Sequence, residues 1–272
     1  DPNPRVKGGG CRWLRERGLQ VDCSTGAAEA LELVWPFAAT DGFSRPWVLL
    51  KTATSLDGRF APRSAVDAPP QPVYLTGEPA RQDVHRWRRR VDLVLVGEGT
   101  VRADRPRLDG RLVAGESQVP QSDPLPGYVD TDLSWDGGLA ADSYLVFAGP
   151  EAGDASRVEA DGGEIVSCAT ARGHVDPVAL LATLAERGIH TVMIEGGPRL
   201  AASFLAAGLV DRWLRYEAPV VLGSGVDWPH AFPAAGPDDP VFSLTRAERV
   251  GNDLLTVLDR QDFAAMLAKV TI

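Results

Sequence analysis

Short apolar runs alternate with amphipathic stretches through the middle of the chain. The runs have the length and the β-branched content of buried strands, and they lie at 47–55, 91–97, 143–149, 163–169 and 190–197. Between and after them, 176–188 and 198–209 combine helical apolar spacing with an early proline and a late glycine, so both are predicted helices. This alternation favours a mainly parallel sheet covered by helices.

The rest of the chain departs from this alternation. Three further helices are predicted, at 11–17, 25–35 and 76–90. Proline, glycine and aspartate mark 61–73 and 102–140 as loops. Strand-type runs without intervening helices close the chain and predict an antiparallel edge of the sheet, at 212–223, 241–251 and 254–260.

Composition narrows the classes of function. With 272 residues the chain suffices for one large α/β domain or two small ones. The net charge of −9 argues against a general binder of nucleic acid or of anionic membranes, because those ligands need clustered positive charge. The sequence has no apolar run of about 18 residues and no leader pattern, so we expect a cytoplasmic protein without a membrane partner. The cysteines form no C-x-x-C pair and the histidines have no ligand spacing, so no metal site is predicted.

The segment VMIEGGPRL, at 192–200, joins a predicted strand to a predicted helix through two glycines. Such a turn is common in α/β chains and needs no ligand. The same pattern also builds phosphate sites, because glycines let the backbone approach a ligand and the first helical N–H groups have no partner within the helix. Taken alone, the segment leaves both interpretations open.

Three stretches taken together favour one interpretation: LLKTATSLDGRFA at 49–61, GEGTVRADRPRLDGR at 97–111 and IEGGPRLAASFLAAGLVD at 194–211. In this order and spacing they resemble the reductase domain of the bifunctional riboflavin-biosynthesis deaminase/reductase family. The resemblance implies a dihydrofolate-reductase-like α/β fold, with a mixed, mostly parallel central sheet flanked by helices. It also implies two parts, a remnant of the deaminase-domain tail with a linker at 1–44 and the reductase domain at 45–272. The deaminase signature, H-x-E with P-C-x-x-C, does not occur in this sequence, so we expect no deaminase activity from it.

The resemblance implies a specific activity as well. This is the NADPH-dependent reduction of 5-amino-6-(5-phosphoribosylamino)uracil to the ribitylamino form. The implied partners are this phosphorylated pyrimidine and a second copy of the chain, in a homodimer. Two alternatives stay open: a related reductase of another pyrimidine or pterin-like substrate, and a non-catalytic nucleotide-binding homologue.

The residues implied to act at the site are few. Lys51 and Glu195 are the predicted catalytic residues, and each places a charge in an apolar strand, where it needs a partner. Glu195 is also predicted to contact the substrate, together with Arg88, Leu108 and Arg111. The predicted cofactor contacts are Ala53, Tyr74, Thr100, Asp104, Gly197, Pro198, Arg199, Leu200, Ala201, Ala202 and Ser203.

Several of these residues also have a purely structural interpretation. Arg88 lies in RWRRR, which equally fits a solvated helix end. Leu200 and the alanines after it also suit a helix core, and Thr100 and Asp104 also suit a cap on the turn after the strand. Asp57 is predicted to hold a turn, with a secondary role at the site as the alternative. Surface or strand-end roles are predicted for the histidines, His85, His174, His190 and His230.

One segment departs from the family pattern. Family members carry S-G-E-S/T-x-W before the helix that starts near Gly77, where this chain reads PPQPVYLTGE. Pro72 replaces a substrate-contacting serine and offers neither a hydroxyl nor an N–H. Tyr74 keeps an aromatic ring at a position that contacts the cofactor. The departure concerns the substrate more than the cofactor, and it keeps the alternative of a related reductase open.

Overall fold

A computed structural model describes residues 9–22, 24–40, 44–63, 73–111, 123–229, 241–260 and 265. Its helices are α1 (Gly10–Arg15), α2 (Ala27–Leu33), α3 (Trp35–Ala39), α4 (Glu78–Arg88), α5 (Glu98–Asp104), α6 (Ser156–Ala160), α7 (Pro177–Glu186) and α8 (Pro198–Ala206). Its strands are β1 (Trp47–Ser55), β2 (Ala61–Pro62), β3 (Leu93–Gly97), β4 (Leu125–Val129), β5 (Tyr144–Ala148), β6 (Gly163–Ser167), β7 (Thr170–Ala171), β8 (His174–Val175), β9 (Thr191–Glu195), β10 (Arg212–Ala218), β11 (Gly225–Val226), β12 (Ser243–Val250) and β13 (Asp253–Asp259).

Nine of the strands form one sheet, in the order β12-β13-β10-β1-β9-β3-β4-β5-β6. All neighbouring pairs from β10 to β6 are parallel. The strands β13 and β12 extend the sheet as an antiparallel edge. The predicted mixed, mostly parallel α/β architecture is therefore confirmed. Within the described ranges, no helix has both the length and the apolar character that crossing a bilayer requires.

Helices cover both faces of the sheet because β1 is apolar on both sides. Trp47 and Leu49 belong to a core that includes α4, whereas Val48 and Leu50 belong to a second core that includes α7 and α8. Successive side chains of a strand point to opposite faces, so a continuous apolar run becomes a doubly buried strand. By the same alternation Lys51 lies on the α4 face, near the carboxyl end of the central strands.

The strand β4 lies inside the stretch 102–140 that the sequence predicts to be a loop. Its residues read LPGYV, and a proline–glycine pair is a strong turn signal. In the sheet, a Cβ at Gly127 would lie 3.3 Å from the carbonyl oxygen of Leu145 and 3.4 Å from the ring of Phe147. Close strand packing, rather than a turn, requires this glycine. The loop prediction is therefore wrong for 125–129, and it is also wrong for 102–104, which are the end of α5.

The helix predicted at 25–35 is divided at Val34 into α2 and α3. Both parts pack on the sheet, because Leu31, Trp35 and Ala39 are buried in the core on the α4 face. The hydrophobic core on the α4 face therefore includes residues that precede β1 in the sequence. The boundary at 44–45 between a linker and the reductase domain stays a prediction.

A buried ion-pair network fixes α2 and α3 to the sheet. The Arg212 guanidinium, whose side chain is 3% exposed, donates to the two oxygens of Asp259 at 2.7 and 3.0 Å. It also donates to both carboxylate oxygens of Glu32 on α2. The indole N–H of Trp35 donates to Asp259 at 3.1 Å. Each buried charge is paired, as burial requires.

Candidate active site

Two opposite charges face each other where the central parallel strands end. Lys51 on β1 lies in register with Glu195, the last residue of β9, and its Nζ is 3.9 Å from Glu195 Oε2. The Glu195 side chain is only 8% exposed and that of Lys51 20%. Ligands of open parallel sheets bind at the carboxyl ends of the strands. The two residues predicted to be catalytic are thus adjacent at such an edge.

A third charge holds Glu195 in place. Arg88, the last residue of α4, donates from Nε to Glu195 Oε1 at 2.5 Å and from Nη2 to Oε2 at 3.0 Å. This bidentate geometry is the strongest and most directional form of an ion pair. Arg88 is therefore a partner of the carboxylate and not the solvated helix end that its sequence also fits. Its contact with substrate stays a prediction.

The pKa values around this cluster are displaced in directions that follow from burial and charge. Burial alone would raise the pKa of Glu195, but Arg88 and Lys51 outweigh it, so this pKa is lowered and the carboxylate is ionised. Burial lowers the pKa of the Lys51 ammonium, although Glu195 opposes the change. Burial raises the pKa of Asp104, and Lys51 opposes that rise. Asp104 therefore belongs to the same electrostatic cluster.

The glycine turn after Glu195 leaves an open helix N-terminus. Gly197 precedes α8 and Pro198 begins it, and among the described residues no side chain caps the helix. A Cβ at Gly197 would meet no atom of the described residues within 4 Å, whereas one at Gly196 would lie 3.5 Å from the backbone nitrogen of Gly97. The Gly197 N–H donates to Thr100 Oγ1 at 3.3 Å. The first N–H groups of α8 therefore lack a side-chain cap, which is the arrangement of helix N-termini that bind anions.

The loop after α5 forms the other side of the cluster. Arg105 and Leu108 take left-handed backbone conformations, with φ of 40° and 59°. Such values are uncommon outside glycine and persist only where the surroundings impose them. Leu108 is 2% exposed and packs in the core on the α4 face, so its contact with substrate stays a prediction. Arg88 Nη1 donates to the carbonyl oxygen of Asp109 at 3.1 Å and connects the loop to Glu195.

Comparison with known proteins identifies the family. The model described as the RibD C-terminal domain matches residues 46–256, which is well over half of the chain. The chain belongs to the RibD C-terminal domain family. The family match includes Lys51, Arg88, the loop after α5 and the glycine turn.

The relatives agree with this assignment. The riboflavin biosynthesis protein RibD of Mycobacterium tuberculosis is 36% identical over 270 residues, which cover 95% of this chain and 67% of that protein. The structure of Acinetobacter baumannii RibD has a TM-score of 0.70 at 26% identity, covering 95% of this chain and 70% of that one. The diaminohydroxyphosphoribosylaminopyrimidine deaminase/5-amino-6-(5-phosphoribosylamino)uracil reductase of Thermotoga maritima has a TM-score of 0.68 at 24% identity, over 95% of this chain and 69% of that one, and supports the fold. The chain is homologous to the RibD reductase domain and spans about two thirds of these relatives.

The predicted cofactor residues outside the glycine turn and α8 differ in their contacts and in their exposure. Thr100 accepts a hydrogen bond from the turn, and Asp104 faces Lys51 electrostatically. Ala53 lies two residues beyond Lys51 on β1 and is half-buried against the core on the α4 face. Tyr74 is 68% exposed, and the Arg81 guanidinium lies 4.9 Å from the centre of its ring. Cofactor contact stays a prediction for all four residues.

The residues of α8 divide into packing and accessible positions. Ala201 and Ala202 are buried, and Leu200 packs partly against the core on the α8 face, so their side chains serve as helix core positions. Ser203 donates to the carbonyl oxygen of Leu200 at 2.8 Å. Arg199 is exposed beside the uncapped turn. A contact between α8 and the cofactor would therefore involve mainly backbone and Arg199.

Three further residues singled out in the sequence are Arg111, Asp57 and Pro72. Arg111 is 61% exposed and its Nε donates to both oxygens of Asp109, at 2.9 and 3.1 Å. Asp57 accepts the Ser55 hydroxyl at 2.7 Å, which confirms its predicted role in its own turn, and it also accepts the backbone N–H groups of Leu222 and Gly223 at 3.0 and 2.7 Å. Pro72, where the chain departs from the family pattern, lies outside the described residues.

Sequence reasoning missed the contacts that position α4. The Tyr216 hydroxyl donates to Asp83 on α4 at 2.6 Å, and the N–H of Gly77, which precedes the helix, donates to Asp253 at 2.8 Å. His85 lies half-buried with its Nδ1 3.0 Å from the Asp109 carbonyl oxygen, not in the surface role predicted for it. The one available signal was the helical spacing of His85 and Arg88, three residues apart on one face.

Proposed function

We propose that this chain reduces 5-amino-6-(5-phosphoribosylamino)uracil to its ribitylamino form with NADPH as hydride donor. The observation that carries the proposal is the buried cluster of Lys51, Glu195 and Arg88 beside the uncapped turn at Gly197. A paired lysine and carboxylate at the carboxyl edge of the sheet costs free energy of folding, which favours a functional role. Membership of the RibD C-terminal domain family supplies the reaction class.

The geometry fits a dinucleotide with a pyrophosphate. The open space at Gly197, the N–H groups of the first turn of α8 and the exposed charge of Arg199 all suit an anionic group. Thr100 is already oriented toward this turn. When bound, NADPH supplies the hydride, and the protein supplies orientation and charge. The choice of NADPH over NADH rests on the family resemblance.

For this reaction the protein has to supply a proton donor to the sugar and a group that orients that donor and the substrate. The bond between C1′ and the ring oxygen of the ribose breaks, a proton reaches that oxygen, and a new C1′–H bond forms from the hydride. Lys51 is the group that hydrogen-bonds and protonates the sugar oxygen, because burial lowers its pKa and makes the ammonium a better acid. Glu195, held ionised by Arg88, fixes the Lys51 ammonium and accepts hydrogen bonds from the substrate.

The substrate phosphate is proposed to meet the loop after α5, where Arg111 is exposed at the rim. Arginine suits this task because its planar fork binds phosphate oxygens in pairs. Homodimer assembly and cytoplasmic location are further proposals, and they rest on the family resemblance.

The test is a spectrophotometric assay of the purified chain with NADPH and the ribosylaminopyrimidine phosphate, with identification of the ribitylamino product. Lys51→Met keeps the length of the side chain and removes its charge, so it should bind NADPH yet lose at least about 100-fold in kcat. NADH, and dihydrofolate as an alternative substrate, are run in parallel. NADPH binding without turnover of the pyrimidine would overturn the proposed activity, and faster turnover of dihydrofolate would assign a different substrate.

A further inference from the structure

The last turn of α4 holds the loop after α5 by the carbonyl oxygens of the loop. His85 Nδ1 lies 3.0 Å from the Asp109 carbonyl oxygen, and Arg88 Nη1 donates to the same oxygen at 3.1 Å. The next residue, Arg89, donates from Nη1 to the carbonyl oxygen of Arg111 at 2.7 Å. Three basic side chains in sequence positions 85–89 therefore fix the backbone of 109–111 from one side.

The loop needs this support because its backbone is strained. Arg105 and Leu108 have φ of 40° and 59°, a left-handed conformation that residues with a Cβ disfavour. The buried side chain of Leu108 anchors one side of the loop. On the other side, the carbonyl of Asp109 accepts two donors, and losing either one weakens the constraint. Small errors in such a loop move the exposed Arg111 that follows.

The contact with the Asp109 carbonyl oxygen determines which ring nitrogen of His85 carries the proton. A carbonyl oxygen only accepts hydrogen bonds, so His85 must carry a proton on Nδ1. Burial and the neighbouring guanidinium groups of Arg88 and Arg111 lower the pKa of His85, while Asp109 opposes them. The Glu195 carboxylate also interacts electrostatically with the ring. The neutral ring with the proton on Nδ1 therefore makes the contact near neutral pH.

We propose that His85 is a positioning residue for the substrate: its Nδ1–H sets the backbone of Asp109 and thereby the placement of Arg111. The proposal rests on the proposed function, which brings the substrate phosphate to this loop. Arg88 serves two partners, Glu195 and the loop, so its loss disturbs the catalytic carboxylate as well. In the described part of the chain, the polar contact of the His85 ring is with the loop, which makes His85 the cleaner probe.

The kinetic test compares His85→Ala and His85→Asn in the full chain. Alanine removes the donor, and we expect the KM for the ribosylaminopyrimidine phosphate to rise about tenfold, the usual effect of one lost hydrogen bond. The kcat and the KM for NADPH should stay within about twofold, because Lys51 and Glu195 are untouched. Asparagine places an amide N–H near the position of Nδ1 and should restore most of the loss. His174→Ala, at an exposed histidine on β8, is the matched control and should change neither constant.

A second measurement does not depend on activity. The ¹⁵N chemical shifts of the His85 ring distinguish the tautomers, and the Nδ1–H form should predominate at neutral pH. An Nε2–H ring would overturn the proposal, as would a His85→Asn variant no better than His85→Ala, or equal increases in both KM values. If the wild-type chain reduces no pyrimidine, the proposed function fails, and the tautomer still decides whether His85 holds the loop.

Discussion

Arg88 and Glu195 lie 107 positions apart in sequence, and the guanidinium of one holds both carboxylate oxygens of the other, at 2.5 and 3.0 Å. One partner ends a helix and the other ends a strand, so the pair fixes α4 to the sheet at the site itself. Because both side chains are mostly buried, neither charge finds water as a substitute partner.

Replacing Arg88 by lysine tests this pair. Lysine keeps the charge but presents a single ammonium in place of two parallel donors, so it loses one bond to Glu195 and one to Asp109. We expect the free energy of unfolding to fall by about 1–3 kcal/mol and kcat/KM to fall at least about tenfold. Denaturant titration and steady-state kinetics measure the two effects. The control is Arg90→Lys in the same run of arginines, which is exposed and should change stability by less than about 0.5 kcal/mol. Wild-type stability in Arg88→Lys would show that the bidentate pair is not formed.

The pH dependence of the reaction follows from Lys51. Burial lowers its pKa from 10.5, and the protonated form is the proposed proton donor, so kcat/KM should fall with rising pH through a midpoint below 10.5. Glu195 raises this pKa by its charge. Glu195→Gln removes that charge and should therefore move the alkaline midpoint to lower pH in the residual activity. A midpoint that stays fixed, or moves upward, would remove Lys51 as the titrating acid.

Gly197 separates ligand binding from folding. A methyl group at this position meets no atom within 4 Å, and the backbone is extended with φ of −65°, so Gly197→Ala should leave the free energy of unfolding within about 0.5 kcal/mol. If the pyrophosphate approaches this backbone, the same methyl group should weaken NADPH binding about tenfold or more, as measured by fluorescence titration. Gly10→Ala, at an equally open glycine on α1, is the control and should affect neither property. Unchanged NADPH affinity in Gly197→Ala would place the cofactor elsewhere.

The N-terminal segment provides a test of the predicted domain boundary. A chain of 45–272 lacks Leu31 and Trp35 from the core and leaves Arg212 without Glu32, so we expect it to lose more than about 4 kcal/mol of stability or to remain unfolded. Deleting 1–24 instead removes α1, in which no residue is buried, and should leave the melting temperature nearly unchanged. Circular dichroism during heating compares the two chains. Wild-type melting of 45–272 would instead support the boundary at 44–45.

Local pattern was sufficient for most elements of the fold. The prediction for β1 has the same bounds as the observed strand, because a continuous apolar run bounded by polar turns is stable only when it is buried along its whole length. The parallel pairing of β1 with β9 then brings Lys51 opposite Glu195. Each of these charges lies in an apolar strand and was therefore expected to have a partner. The strand β4 was missed because a glycine needed for close packing in a sheet looks like a turn when read in one dimension.

The rest of the site depends on tertiary geometry that no local pattern encodes. In RWRRR, Arg88 and Arg90 are equivalent by composition, but Arg88 ends α4 and turns inward to Glu195, whereas Arg90 follows the helix and is exposed. The contact between His85 and Asp109 likewise arises from a loop whose left-handed residues are not glycines. Sequence propensity predicts the commonest conformation, and strained functional loops are exceptions to it.

The buried ion pair of Arg88 and Glu195 also affects the outcome of selection for heat tolerance. A buried ion pair replaced by apolar residues of similar volume often gives a more stable protein. In a mutant library screened for heat tolerance alone, single substitutions at Arg88 or Glu195 would be lost, because they leave a buried charge unpaired, whereas clones with apolar residues at both positions would be retained and would be inactive. A thermostability campaign on this scaffold has to score turnover in every round, because heat tolerance and catalysis favour opposite residues at these two positions.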